Sequence, residues 1–219
     1  MLKNLIRKKN TKILRKVKKM VFNRKIANLS SQIQVVDIGL DENTDLFRWM
    51  GHNGTVFRLD INSTRKIAQE NFYLHLERTD RRMVFISKNN IKFLIISDNS
   101  VQFQLLEAYM EEIIDRFFNS YKEICQNPVL LRSMSNAFGG FAVLLPKIFE
   151  DACKNRIKGI VAYCAICKRK HDVIVRKTLI TEADHHPVSL VFEHQGHGLL
   201  IYIDSHFRVR GQEVVQITG

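Results

Sequence analysis

Residues 91–124 read IKFLIISDNSVQFQLLEAYMEEIIDRFFNSYKEI, and two patterns meet within them. Ile91, Phe93, Leu94, Ile95 and Ile96 make the densest apolar cluster of the chain, with the length of a strand. After Asp98, Asn99 and Ser100, apolar residues recur at Val101, Leu105, Tyr109, Ile113, Phe117, Tyr121 and Ile124. That three-to-four spacing predicts one buried face of a long helix. Asp98, Asn99 and Ser100 offer the side-chain oxygens of a helix N-cap.

The pattern extends upstream. Residues 83–87 pair with 91–97 as a hairpin across the polar turn Lys88-Asn89-Asn90. Residues 32–38 and 55–61 read as further strands, and 72–77 alternates like another. Residues 63–70 favour a helix, and 41–54 is longer than a tight hairpin turn. Downstream, Pro128 is expected to end the long helix, and 129–142, with Gly139-Gly140, reads as a partly helical connector. A helix follows over 144–154, then short strands at 160–163, 173–176, 188–194, 199–204 and 213–217. No internal repeat or low-complexity segment interrupts this order. The expected fold class is α+β, divided as a basic helix (1–28), an α/β domain (29–127), a helical connector (128–159) and a β-rich module (160–219).

Charge is unevenly placed. The 219 residues carry a net charge of +12. Residues 1–28 hold 11 of the 34 lysines and arginines and no acid, so the remaining 23 face 22 Asp and Glu. The body is nearly neutral, and any attraction to an acidic surface rests on the first segment. Over residues 2–21 the apolar Leu2, Leu5, Ile6, Ile13, Leu14, Val17, Met20 and Val21 share one helical side. Arg7, Lys8, Lys12, Arg15, Lys18 and Lys19 cover the other and are the candidate anionic-surface residues. A helix lying on an anionic membrane fits this composition. An arm binding nucleic acid or ribosome fits the charge equally well. An organelle presequence fits less well, because lysines outnumber arginines 8 to 3 and serine first appears at Ser30. A solvated helix packed on the body is the fourth reading.

The first twenty residues lack an uninterrupted apolar stretch, and no run reaches the roughly 18 residues of a membrane span. The expectation is a cytoplasmic protein, soluble or peripheral at the membrane, without disulfides. Against that background Cys164-Ala165-Ile166-Cys167 points to metal or redox chemistry. Two thiolates on a tight turn stand at tetrahedral separation, a zinc knuckle. His194-Gln195-Gly196-His197 would place two imidazoles opposite each other across a two-residue turn. Cys164, Cys167, His194 and His197 are therefore the candidate ligands of a structural zinc ion. His171, His185, His186 and His206 compete for the third and fourth positions. A metal-free pair of buried cysteines and a redox dithiol are the other readings. The dithiol needs a helix N-terminus to acidify it, whereas strands are expected to flank this pair.

Catalysis finds no support. No P-loop or Gly-x-Gly-x-x-Gly stretch occurs, and no catalytic residue is assigned. Asp204-Ser205-His206 has the residue types of a triad but not its geometry, being consecutive in an expected strand. Asp184-His185-His186-Pro187 reads as a polar loop, and Trp49 as either an interface anchor or core. Lys168–Lys170, Arg208 and Arg210 mark either a basic patch or a charge-protected strand edge.

The stretch at 91–124, with its strand at Phe93–Ile96, its polar turn at Asp98–Ser100 and its helix from Leu105 through Tyr121, resembles the central strand and following helix of longin-like (profilin-like) domains. The resemblance covers at most residues 31–127, and the long 41–54 segment departs from it. It implies an antiparallel sheet with packed helices. It also implies a non-catalytic module that binds small GTPases, membrane-traffic factors, a longin-like subunit or another copy of itself. The stretch around Cys164 resembles half of a zinc ribbon, although zinc ribbons usually supply a second Cys-x2-Cys. Together these imply a non-enzymatic adaptor or regulatory protein, held at an anionic membrane by residues 1–28. The alternative is a zinc-containing nucleic-acid- or ribosome-associated factor.

Overall fold

The computed structural model describes residues 28–41, 43–51, 58–194 and 196–215. The basic helix expected over residues 2–21, and with it Arg7, Lys8, Lys12, Arg15, Lys18 and Lys19, lies outside these residues, as does Gln195 of the expected turn. The protein is α+β: helices pack on antiparallel sheets.

The large sheet contains β1 (Ile33–Gly39), β2 (Asp45–Met50), β3 (Leu74–Glu77), β4 (Arg81–Lys88) and β5 (Ile91–Asp98) in the order β2-β1-β5-β4-β3. Each neighbouring pair is antiparallel. The central strands are apolar on both sides because each side is covered. On one face Val36, Ile38, Val84, Ile86, Phe93 and Ile95 join the core beneath α2 (Phe103–Ser120). On the other, Val35, Met83, Phe85, Leu94 and Ile96 pack with Ile61 of α1 (Arg58–Ile67).

The β4–β5 hairpin forms as expected. Asn89 and Asn90 both take positive φ, at 52° and 63°, the backbone that a two-residue turn between twisted strands requires. Other expectations are corrected. Residues 58–61 belong to helix α1, not to a strand. Ile61, Thr64 and Arg65 are buried while Asn62, Ser63 and Lys66 are exposed, which is a helical period that one short apolar run conceals. Residues 45–50, inside the segment read as one long turn, form β2, and Leu40 N–H donates to Thr44 O to close the connection from β1. The expected N-cap is a turn instead. Asp98 Oδ1 accepts from Ser100 N at 2.8 Å, and α2 begins later, at Phe103, with Gln102 in the N-cap position and no side-chain cap bond. Pro128 does not end α2, which stops at Ser120. After α3 (Lys122–Cys125), Pro128 opens α4 (Pro128–Ser133), where Asn127 Oδ1 accepts from Val129 N and Leu130 N.

A 3-10 segment (Ser135–Leu144) then runs beside β2 and leads into α5 (Leu145–Asn155), which packs on α2. Aromatic rings fill the space between these elements. Phe117 meets Phe93, Phe138 and Phe141 at centroid distances of 5.7, 5.2 and 5.4 Å, spacings that suit edge-to-face and offset contacts. Trp49 is half-buried against this core, 6.1 Å from Phe149 and edge to face.

An ion pair sits inside this apolar frame. Asp37 of β1 is fully buried, and burial pushes its carboxyl up from the ordinary value against the pull of two guanidiniums. Arg65 donates to it through Nε (2.9 Å) and Nη2 (2.6 Å), and Arg48 through Nε (2.9 Å). Gly39 makes room for this pair, since a Cβ there would lie 2.3 Å from Arg65 Cζ.

The C-terminal part has two sheets. Strands β6 (Ile157–Cys164) and β7 (Arg169–Arg176) form a hairpin, followed by α6 (Lys177–Thr181). Strands β8 (Val188–His194), β9 (His197–Ile203) and β10 (Val209–Val215) form a meander in the order β10-β9-β8. Ile160, Ala162, Cys164, Val173 and Val175 face Leu199, Ile201 and Ile203 in a second core. Asp204 lies in a turn after β9 and not in a strand. Its Oδ1 accepts from His206 N and Arg208 N, and Phe207 takes a positive φ of 60°.

This part is fastened to α2. Gln102 Oε1 accepts from Ile174 N at 3.0 Å, and Gln104 Oε1 accepts from Arg176 N at 3.2 Å. Arg176 Nε lies 2.9 Å from Glu107 Oε2, its Nη1 2.5 Å from Glu111 Oε1, and its guanidinium 4.8 Å from the Tyr73 ring centre.

Candidate metal centre

The β6–β7 hairpin ends in the tight turn that Cys164 and Cys167 demand. Cys164 pairs with Arg169, and Lys168 takes φ 54° to close the loop. The Cys164 side chain is buried. Its desolvation opposes ionisation, but hydrogen bonds from the backbone N–H groups of Cys167 and Ile166 and from the Cys167 side chain outweigh it, so its pKa falls below the ordinary thiol value. That polarity favours a metal-bound thiolate.

The facing hairpin supplies nitrogen. His194 and His197 are register partners at the end of the β8–β9 ladder, with Gly196 at φ +74° between them. A positive φ is what the second residue of such a turn requires. Apolar packing of the two sheets brings these hairpin tips together. The donor atoms of Cys164, Cys167, His194 and His197 all lie within 4.8 Å of one another.

Two of the distances between the hairpins approach those around a tetrahedral ion. Metal–sulfur and metal–nitrogen bonds of about 2.3 and 2.0 Å at the tetrahedral angle separate S from N by about 3.5 Å. Cys167 Sγ lies 3.5 Å from His194 Nε2, and Cys164 Sγ 3.9 Å from His197 Nδ1. Desolvation, then the neighbouring His171 and His197, hold the His194 imidazole below its ordinary pKa. It is thereby kept as the neutral, lone-pair form that ligates. These four side chains are close enough to hold a metal ion, and their two sulfur and two nitrogen donors are compatible with zinc.

Of the competing histidines, His171 comes nearest. Its Nε2 lies 3.2 Å from Cys167 Sγ, and its ring is 3.9 Å from that of His194 between centroids. It stands outside the four-donor group and serves as a hydrogen-bond partner of the sulfur, the kind of outer contact that tunes a ligand. His185, His186 and His206 lie on exposed loops and do not join the group. His194 stacks on Phe192 at 5.5 Å with planes 10° apart, which orients the ring.

Cys125 and Cys153 belong to the other core. Burial raises both thiols, Cys125 to about 11, and Cys153 lies 3.4 Å from the Tyr109 hydroxyl. All four cysteines are unbridged. Sequence reasoning missed Gln212, which ties down the strand that carries Cys164: its Oε1 accepts from Tyr163 N, and its Nε2 donates to Tyr163 O. A lone glutamine in a strand carries no periodic signal that would mark it.

Among the described residues no helix is long and apolar enough to cross a membrane. No protein-family model matches the chain, and no curated protein matches it.

Proposed function

We propose that this chain is a non-catalytic adaptor or regulatory protein, made of a longin-like domain and a zinc-ribbon-like unit held by one structural zinc ion. The observation that carries the reading is the four-donor group itself. Cys164 and Cys167 come from one hairpin tip and His194 and His197 from another, so an ion bound there joins two sheets that share no backbone ladder. Four protein donors also complete a tetrahedral shell, leaving no position for a reacting water. A structural role follows.

The longin-like part of the reading is supported by the β2-β1-β5-β4-β3 order, with α1 on one face and the long α2 on the other. The partner class that goes with it is a small GTPase or a longin-like subunit, with residues 1–28 supplying +11 of charge toward an anionic membrane.

One observation favours the second reading, a zinc-containing nucleic-acid- or ribosome-associated factor. Lys168, Arg169 and Lys170 are exposed around the knuckle beside exposed Tyr163 and Ile166. Cations with a ring available for stacking suit a nucleic-acid strand.

Two measurements test these readings. Metal analysis of the purified full chain should return about one zinc per molecule. Affinity capture with the full chain, with and without nuclease, should return a protein partner that survives both nuclease and high salt. Capture that collapses with nuclease and falls steeply with salt would replace the adaptor by the nucleic-acid factor.

A further inference from the structure

In the C-terminal part dedicated side chains close the outer edges of β7 and β6, whereas among the described residues none closes those of β8 and β10, and of these two only β8 borders a cleft. On β7, Gln102 Nε2 donates to Asp172 O while Gln102 and Gln104 accept from Ile174 N and Arg176 N. On β6, Gln212 gives Tyr163 both a donor and an acceptor. Each glutamine amide stands in for the peptide group of an absent neighbouring strand. β8 pairs with β9 alone, and among the described residues no hydrogen bond reaches its outer side.

The register identifies which groups are left. His194 and His197 close a two-residue hairpin, so His194, Phe192, Leu190 and Val188 exchange hydrogen bonds with β9. The N–H and C=O groups of Ser189, Val191 and Glu193 then point to the free side. Val191 is 58% exposed. An open edge of this kind is a template for one more strand.

A cleft of about 270 Å³ runs along that edge, between β8 and the start of α2. Leu190, Val191, Phe192 and Glu193 all line it. Side chains of successive strand residues point to opposite faces, so four in a row border one cavity only when the backbone edge faces it. The opposite wall carries Phe103 and Ile174. At one rim, His75 already pairs with Glu107 at 2.7 Å, and Arg82 with Glu77 at 2.8 Å. The rim charges are satisfied within the chain. Phe103 stacks on His75 at 4.5 Å and Ile174 is buried, so among the described residues what lacks a partner is the outward backbone of β8. A cleft of this size has room for one or two side chains.

We infer that β8 and this cleft bind an extended peptide segment of a partner protein. The segment adds as a strand along residues 189–193 and places an apolar side chain against Phe103 and Ile174. A peptide is the ligand whose alternating N–H and C=O groups match the unpaired groups of a strand edge, while pockets beside the edge select its side chains. This deepens the adaptor reading, on which it rests, by naming the contact surface and the chemistry of the partner.

The test pans the zinc-loaded full chain against a phage-displayed library of random peptides, then measures the selected peptides by calorimetry and amide hydrogen exchange. The amides of Ser189, Val191 and Glu193 should gain protection on binding. Val191→Pro removes an outward N–H from an edge strand, a position where proline is tolerated. It should weaken binding about 10-fold or more, the worth of one or two net hydrogen bonds, while Val191→Thr keeps it. Ser189→Pro is the second edge variant, and zinc content and melting temperature verify that each variant folds. No selected peptide, protection at other amides, or unchanged binding to both proline variants overturns the inference. So does a dimer of the wild-type chain that Val191→Pro dissolves, which would put a second copy on the edge. A captured protein partner that binds Val191→Pro as tightly as wild type also overturns it while leaving the adaptor reading intact. A chain that binds peptides at β8 but carries no zinc removes the metal from that reading and leaves the edge site standing.

Discussion

Cys164 Sγ stands 3.9 Å from His197 Nδ1 although the two residues are 33 positions apart in sequence. The two atoms end separate hairpins, and the apolar contact of Ile160, Ala162 and Val173 with Leu199 and Ile201 closes the gap. An ion bound by these donors would therefore be linked to the folding of the C-terminal part.

Removal of a ligand should be felt as lost stability. With free zinc at about 100-fold above its dissociation constant, the ion contributes about 2.7 kcal/mol, and more at higher excess. Cys164→Ser is expected to lose most of that and to bind zinc weakly. Cys125→Ser, in the other core, should keep full metal content. Thermal melts with and without chelator measure both. Identical melts for the two variants would remove Cys164 from the site.

The Asp37–Arg65 pair should dominate the stability of the large sheet. Arg65→Ala strands a carboxylate that is fully buried, leaving it only Arg48. The expected cost is about 3–5 kcal/mol. Arg65→Lys keeps the charge but loses the two-pronged contact, so it should fall between. Urea denaturation reads the difference, and a loss below about 1 kcal/mol would mean that Arg48 alone suffices.

Coupling between the two parts should run through Arg176. It bridges Glu107 and Glu111 of α2 from the end of β7. Arg176→Ala is expected to cost about 2–4 kcal/mol, because two acidic groups lose a shared partner. Amide exchange should rise in β6 and β7 before it rises in β5. Uniform exchange across both parts would show that this contact does not separate them.

Asp204 should give a pH signature. Hydrogen bonds from Arg208 N and His206 N and the Arg210 guanidinium hold its carboxyl below the ordinary aspartate value. A depressed folded pKa stabilises above the unfolded value near 3.9 and loses that contribution as pH falls through the folded one. Asp204→Asn should therefore melt below wild type at neutral pH, with the gap narrowing in acid. A carboxyl titrating at or above about 3.9 by NMR would contradict this.

Legibility in the sequence followed the length of each periodic run. The strand and helix of residues 91–124 and the β4–β5 hairpin were readable because many residues repeat one pattern and Asn89-Asn90 tolerate the turn. β2 was not: DLFRWM is short, and Asp45 and Arg48 are there to serve an ion pair, which breaks its alternation. Helix α1 was misread at residues 58–61 because Arg65, a charged residue, occupies a buried position that the pattern assigns to an apolar one. The four candidate ligands were named from spacing alone, since two-residue separations fix local turns.

By itself the sequence determined the local pieces: which segments are amphipathic, where chains turn, and that two thiols and two imidazoles each sit on a tight turn. Those features depend on residues a few positions apart. Only the tertiary structure decided that the two turns meet, that His171 approaches Cys167 without joining the four donors, and that β8 keeps an open edge. Each of these is set by how two sheets pack and by which side chains cover an edge. Apart from Cys167 and His171, which are four positions apart, the contacts that settle them join residues 27–72 positions apart, beyond the reach of any local pattern.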